Sequence, residues 1–128
     1  MKLLLDTHLL LWAAGAPKRL PPAARKLIND PANELLYSAA SLWEIAIKRA
    51  LGREDFRVDP RALRRGLLEN GYAELAVTGE HALAVDALPA LHKDPFDRML
   101  VAQSLAESVT LVTGDPHVAR YSDTIRRV

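Results

Sequence analysis

The run Lys2–Leu5 (KLLL) carries leucines at three consecutive positions rather than alternate ones, and a helix-like stretch, Thr7–Ala14, follows directly. Strands with one wet face alternate polar and apolar residues. A run without alternation fits a strand buried on both faces, the situation of a parallel sheet covered by helices. The rest of the chain keeps the same strand-then-helix rhythm. Ala23–Asn29 reads as a short helix ended by Pro31, Leu35–Tyr37 as a second strand, and Ser38 as the cap of a helix to Leu51 that Gly52 stops. Asp59-Pro60 opens a helix through Glu69, closed by Asn70-Gly71. Ala73–Val77 is a third strand, and Thr78 caps a helix through Ala87. After the loop Pro89–Lys93, Asp94-Pro95 starts a long helix to Glu107. Val109–Thr113 is the clearest strand, ended by Gly114-Asp115-Pro116, and Thr124–Val128 offers a short edge strand. This order specifies an α/β fold, a three-layer α/β/α sandwich around a short central parallel sheet of about four to five strands.

At 128 residues, 49% of them hydrophobic, the chain has material for one core and is expected to form a single domain over 1–128. It shows no repeat, no low-complexity tract and no dividing linker. No basic leader with a small-residue cleavage site is present, and the Leu9–Leu11 run is far too short for a bilayer span, so a soluble, cytoplasmic protein is expected. The absence of cysteine excludes disulfides, thiolate zinc sites and a cysteine nucleophile, and leaves oxygen or imidazole to hold any metal. With 17 basic and 16 acidic residues, net charge +1, bulk charge does not announce a nucleic-acid partner.

The placement of the acids is more informative. In open parallel sheets the working crevice lies beyond the carboxyl ends of the strands. Asp6 ends the first strand, Asp115 ends the Val109 strand, and the helices holding Glu44 and Asp97 start near the same rim. Each acid has an ordinary use. Ser41–Glu44 matches the S-x-x-E capping box, and Glu44 with Lys48 has the i, i+4 spacing of a surface ion pair. Asp94-Pro95-Phe96-Asp97 makes a good helix start, Asp115 suits a turn, and Asp6 suits an N-cap. Jointly they predict convergence. Carboxylates within ~5 Å repel by several kcal/mol at intermediate dielectric, so the cluster calls for a hard divalent cation such as magnesium or manganese. Such ions, held by a few carboxylates, suit phosphodiester cleavage.

The segments LLLDTHLLLW (3–12), SAASLWEIAIK (38–48), HKDPFDRMLVAQS (92–104) and LVTGD (111–115) together resemble the PIN-domain ribonucleases, and within them the VapC-type toxins of bacterial and archaeal toxin–antitoxin pairs. The resemblance spans nearly the whole chain in the family's order. It implies that Asp6, Glu44, Asp97 and Asp115 are the four active-site acids, with Asp94 as a supporting acid and Thr7 and Thr113 positioning a water or ligand. It implies a Mg²⁺- or Mn²⁺-dependent endoribonuclease in which Asp6, Asp97 and Asp115 hold one or two ions, and Glu44 completes the coordination or acts as general base through water. The implied partners are RNA, a cognate antitoxin protein and a second copy of the chain in a homodimer.

Lys48, Lys93 and Arg98 are the basic residues best placed to meet RNA phosphates; Arg49 and Arg53 follow, and Arg61, Arg64 and Arg65 read rather as a solvated face. His8, His81, His92 and His117 lack helical zinc spacing and read as scattered structural or surface residues. Trp12 and Trp43 can stack on bases, though Trp43, in the apolar segment LWEIAI, is better explained by core or interface packing. Two other functions compete. A haloacid-dehalogenase-like phosphatase needs an acid two residues after Asp6, where His8 stands. A non-catalytic α/β scaffold would use the acids only as caps and turns.

Overall fold

The structure is a computed structural model describing residues 1–128. Five strands, β1 (Lys2–Leu5), β2 (Glu34–Ser38), β3 (Ala73–Leu75), β4 (Thr110–Thr113) and β5 (Arg126–Arg127), form one sheet in the order β3-β2-β1-β4-β5. Every neighbouring pair is parallel. Seven helices cover it: α1 (Thr7–Gly15), α2 (Pro22–Asn29), α3 (Ala39–Ala50), α4 (Pro60–Glu69), α5 (Gly79–Asp86), α6 (Pro95–Glu107) and α7 (Pro116–Ala119). The expected α/β/α sandwich is the fold found.

The leucine run explains the layers. Leu3 and Leu5 face one way, onto Leu9, Leu10, Ile45 and Phe56, whereas Leu4 faces the other, onto Leu100, Val101 and Leu111. Both faces of β1 are sealed, and burying each leucine contributes about 2 kcal/mol. From β1 the chain winds through β2 to β3, then returns across the sheet to β4 and β5. The reversal between β1 and β4 opens a crevice at their carboxyl ends. The register Leu5↔Val112 brings Asp6 level with Thr113, and the Asp6 N–H donates to the Val112 carbonyl at 3.0 Å.

Local differences from the sequence reading have local causes. β3 stops at Leu75 because the chain turns toward the Thr78 cap, and the end strand shrinks to Arg126–Arg127. Gly114-Asp115-Pro116 is a helix start as well as a turn: Asp115 caps α7 with Pro116 at the first helical position, the signature that opens α4 and α6. The Ser41–Glu44 capping box does not form. Ser38 is the cap of α3, accepting from the Ala40 N–H at 3.0 Å, which places Ser41 and Glu44 further along the helix on its buried side. The Glu44–Lys48 pair is accordingly an interior pair rather than a surface one, with side chains 3% and 15% exposed.

Candidate active site

The carboxyl-end rim gathers acids from four segments. Asp6 follows β1 and caps α1: its Oδ1 accepts from the Leu9 N–H at 2.9 Å and its Oδ2 from the Thr113 hydroxyl at 2.6 Å. Burial pushes its carboxyl above the usual carboxylate range, against the pull of those two hydrogen bonds. Glu44, on α3, accepts the Thr7 hydroxyl on Oε1 at 2.6 Å and Lys48 Nζ on Oε2 at 2.5 Å. Asp94 caps α6 by accepting from the N–H groups of Phe96 and Asp97, and lies 3.8 Å from Lys48 Nζ. Asp115 accepts from the His117 N–H at 2.8 Å, and its own N–H donates to Thr113 Oγ1 at 3.1 Å.

Thr7 and Thr113 therefore serve the acids themselves, each giving its hydroxyl proton to a carboxylate. Ser41 Oγ adds a contact at 2.9 Å to Thr7.

Asp97 is the exposed nerve of the cluster. It caps nothing. Burial first, then the negative charges of Asp94, Glu44 and Asp6, push its carboxyl up to about 6, with a hydrogen bond from His92 opposing the rise. Lys48 answers Glu44 and Asp94, yet neither lysine nor arginine pairs with Asp6, Asp97 or Asp115. Clustered oxygen donors with that much uncompensated charge fit a divalent cation.

His92 overturns the reading of scattered histidines. Its Nε2 lies 2.8 Å from Asp97 Oδ2 and 3.8 Å from Asp115 Oδ2, inside the cluster. Its ring lies parallel to that of His117, with centroids 6.1 Å apart and planes within 8°. The other two histidines stay apart: His81 is buried in the capping box of α5 and meets Glu107 at 2.8 Å, and His8 lies 3.6 Å from Asp55. The signal for His92 was its place in HKDPFD, where one loop delivers a histidine and two acids; zinc-style helical spacing does not detect such a loop. Tyr121 was missed as well. Its hydroxyl accepts from the His92 N–H at 2.9 Å and donates to the His92 carbonyl at 3.3 Å.

Arg98 takes a different part from the phosphate contact expected of it. Its guanidinium donates to the carbonyls of Pro89 and Val85 and to the Tyr121 hydroxyl at 3.0–3.1 Å, and so pins the loop that carries His92. Lys93 is exposed beside the cluster. Lys48 is threaded between the Phe56 and Phe96 rings, 4.8 and 5.5 Å from their centroids. Of the other arginines, Arg64 pairs with Glu74, Arg49 with Asp59 and Arg53 with Asp55.

Trp43 is 63% exposed with its ring edge-on to Phe96, which removes the core explanation. Trp12 is half-buried under Arg19 and helps to wall a cleft of about 330 Å³ beside Asp6 and Asp115, with His8, Leu9 and Gly114.

Fold and rim together define an α/β protein with a cluster of acids at the carboxyl ends of its parallel strands. The chain belongs to the PIN domain family, whose family model matches residues 3–123. It is 31% identical to Ribonuclease VapC22 of Mycobacterium tuberculosis over 113 residues, covering 88% of this chain and 85% of that protein. In solved structures the fold matches VapBC2 from Rickettsia felis bound to a DNA fragment from their promoter, with TM-score 0.69 and 14% identity over 100% of this chain and 98% of that one. It also matches DNA-bound VapBC from Salmonella typhimurium, with TM-score 0.68 and 18% identity over 100% of this chain and 97% of that one.

Proposed function

We propose that this protein is a divalent-metal-dependent endoribonuclease and the toxin of a toxin–antitoxin pair. The observation that carries the reading is Asp97, held at about 6 by burial and by Asp94, Glu44 and Asp6, and hydrogen-bonded to His92 with no lysine or arginine beside it. A scaffold that used acids only for capping has no use for Asp97 or for a Glu44 buried against Thr7. A phosphatase of the haloacid-dehalogenase type would need an acid where His8 stands, and His8 instead faces Asp55.

Asp6, Asp97 and Asp115 are the proposed ligands of Mg²⁺ or Mn²⁺, with Glu44 beside them. A cation bound there supplies a Lewis acid and an acidified water for phosphodiester hydrolysis. The chain's own residues set the geometry. Thr113 and the Leu9 N–H fix the Asp6 carboxylate, and Thr7 fixes that of Glu44. Lys48 holds Glu44 and Asp94 in place and offsets their repulsion of an RNA backbone, and exposed Lys93 is positioned to meet a phosphate. The cleft beside Asp6 and Asp115 offers room for a nucleotide against Trp12.

The likeness to a ribonuclease and to toxin–antitoxin complexes supports an antitoxin as partner, and exposed Trp43 suits a protein interface. A single domain over 1–128, working in the cytoplasm as a homodimer, completes the proposal; no helix is long and apolar enough to cross a membrane.

The test is cleavage of total bacterial RNA with Mg²⁺ or Mn²⁺, beside EDTA and Asp6→Asn controls. Discrete cuts that leave 3′-hydroxyl and 5′-phosphate ends, and that vanish in both controls, are expected. A cyclic phosphate product would refute the mechanism.

A further inference from the structure

The geometry points to His92 as a nitrogen ligand of the active-site cation, and so to a site that selects manganese over magnesium; this rests on the metal-dependent reading above. Donor atoms of His92, Asp97 and Asp115 lie within 4.8 Å of one another. Ligands about 2.1 Å from a common octahedral ion stand about 3 Å apart when adjacent and about 4.2 Å apart when opposite. The separations of 2.8 Å to Asp97 and 3.8 Å to Asp115 lie within a few tenths of an ångström of those values, so small side-chain shifts bring all three donors onto one ion.

His92 is also built in. Both backbone polar groups bond to the Tyr121 hydroxyl, that hydroxyl accepts from Arg98, and Arg98 is tied to the carbonyls of Pro89 and Val85. The parallel ring of His117 packs against the imidazole. A histidine that served only as a surface residue would not need both of its backbone polar groups held by one buttressed hydroxyl. These outer hydrogen bonds fix the loop that presents the imidazole to the acids, which reduces the cost of ordering it around an ion.

The selectivity follows from donor chemistry. Magnesium demands oxygen donors in near-ideal octahedral geometry and keeps several waters. Manganese accepts the same carboxylates and also takes imidazole, with affinity for nitrogen-containing sites rising along the divalent series. Replacing one oxygen donor by Nε2 therefore penalises magnesium more than manganese.

The experiment is pulsed electron paramagnetic resonance of Mn²⁺ bound to the purified full chain, with Mn²⁺ and Mg²⁺ titrations alongside. Wild type, ¹⁵N-histidine-labelled wild type, His92→Asn and Asp6→Asn are compared. Because the clamp uses the backbone of His92, the asparagine variant keeps it, and circular dichroism confirms the fold. The expected result is a directly bound ¹⁴N coupling that becomes ¹⁵N on labelling and disappears in His92→Asn. Mn²⁺ should bind about tenfold tighter than Mg²⁺, with the ratio falling to about threefold or less in that variant. Tight Mn²⁺ binding without nitrogen coupling, or an unchanged ratio in His92→Asn, overturns the ligand assignment alone. Absence of Mn²⁺ binding to wild type, or equal binding to Asp6→Asn, overturns the metal-dependent reading beneath it as well.

Discussion

Asp97→Asn is expected to stabilise the metal-free protein at neutral pH while removing one ligand of the proposed metal site. The carboxyl is held at about 6 against an ordinary 3.8. That difference corresponds to about 3 kcal/mol of unfavourable interaction in the ionised form. The side chain is 23% exposed, and asparagine gives up the charge in its 2.8 Å bond with His92, so the net gain expected is nearer ~1–2 kcal/mol. For a chain of this size that is a rise of about 3–8 °C in Tm. The pH dependence has a definite sign. An acid whose folded value is raised adds stability below its unfolded value, near 3.8, and that stability is lost as pH climbs through about 6. The variant's advantage should therefore be full at pH 7.5 and mostly gone at pH 4. Thermal unfolding in EDTA at several pH values measures it, and adding Mn²⁺ should reverse the order by stabilising wild type only. A variant no more stable than wild type at pH 7.5, or one with a pH-independent gain, would refute the charge-crowding account of the site.

Asp6→Asn should keep the fold to within about 1 kcal/mol, since asparagine can still accept the Leu9 N–H, yet lower RNA cleavage by about a hundredfold or more in a steady-state assay. Lys48→Met leaves Glu44 buried without its counter-charge and should cost about 3 kcal/mol in urea unfolding; a loss below ~1 kcal/mol would show the pair to be dispensable. Tyr121→Phe removes the hydroxyl shared by His92 and Arg98 and should cost about 1–2 kcal/mol by the same measurement. Ser108 ends α6 in the left-handed region at φ 55°, so Ser108→Gly should raise stability by about 0.5–1 kcal/mol; no rise in Tm would contradict the strain assigned there.

The helices with strong punctuation were readable within a residue or two, because Asp-Pro starts and Asn-Gly or Gly stops act through backbone chemistry that does not depend on distant contacts. Lys2–Leu5 was readable for a similar reason: consecutive leucines admit one environment. Helix α7 was missed because Gly-Asp-Pro is also turn chemistry, and only the following residues decide whether a helix continues. At the site, sequence order gave the strand-end address of Asp6 and Asp115. It could not give the roles of Arg98, Tyr121 and His92. Arg98 and Tyr121 are 23 residues apart, and their hydrogen bond exists only because α6 and the segment after α7 pack together. The i, i+4 spacing of Glu44 and Lys48 identified the pair but not its depth, since burial is decided by what the other layers place over α3.

The hydrogen bond from Thr113 to Asp6 joins residues 107 positions apart. Forming β1 beside β4 is thus a late event in the life of a growing chain, because the intervening helices and strands must be made first. At about 5–20 residues per second, the fourth strand follows the first by roughly 5–20 s. Through most of that delay the nascent polypeptide carries Asp6 and then Glu44; Asp97 arrives shortly before β4 and Asp115 only after it, so the four acids are not together until the delay is over. The order of the strands in the chain thus separates the two halves of the acidic rim in time, and the four acids stand together only once β4 has docked beside β1.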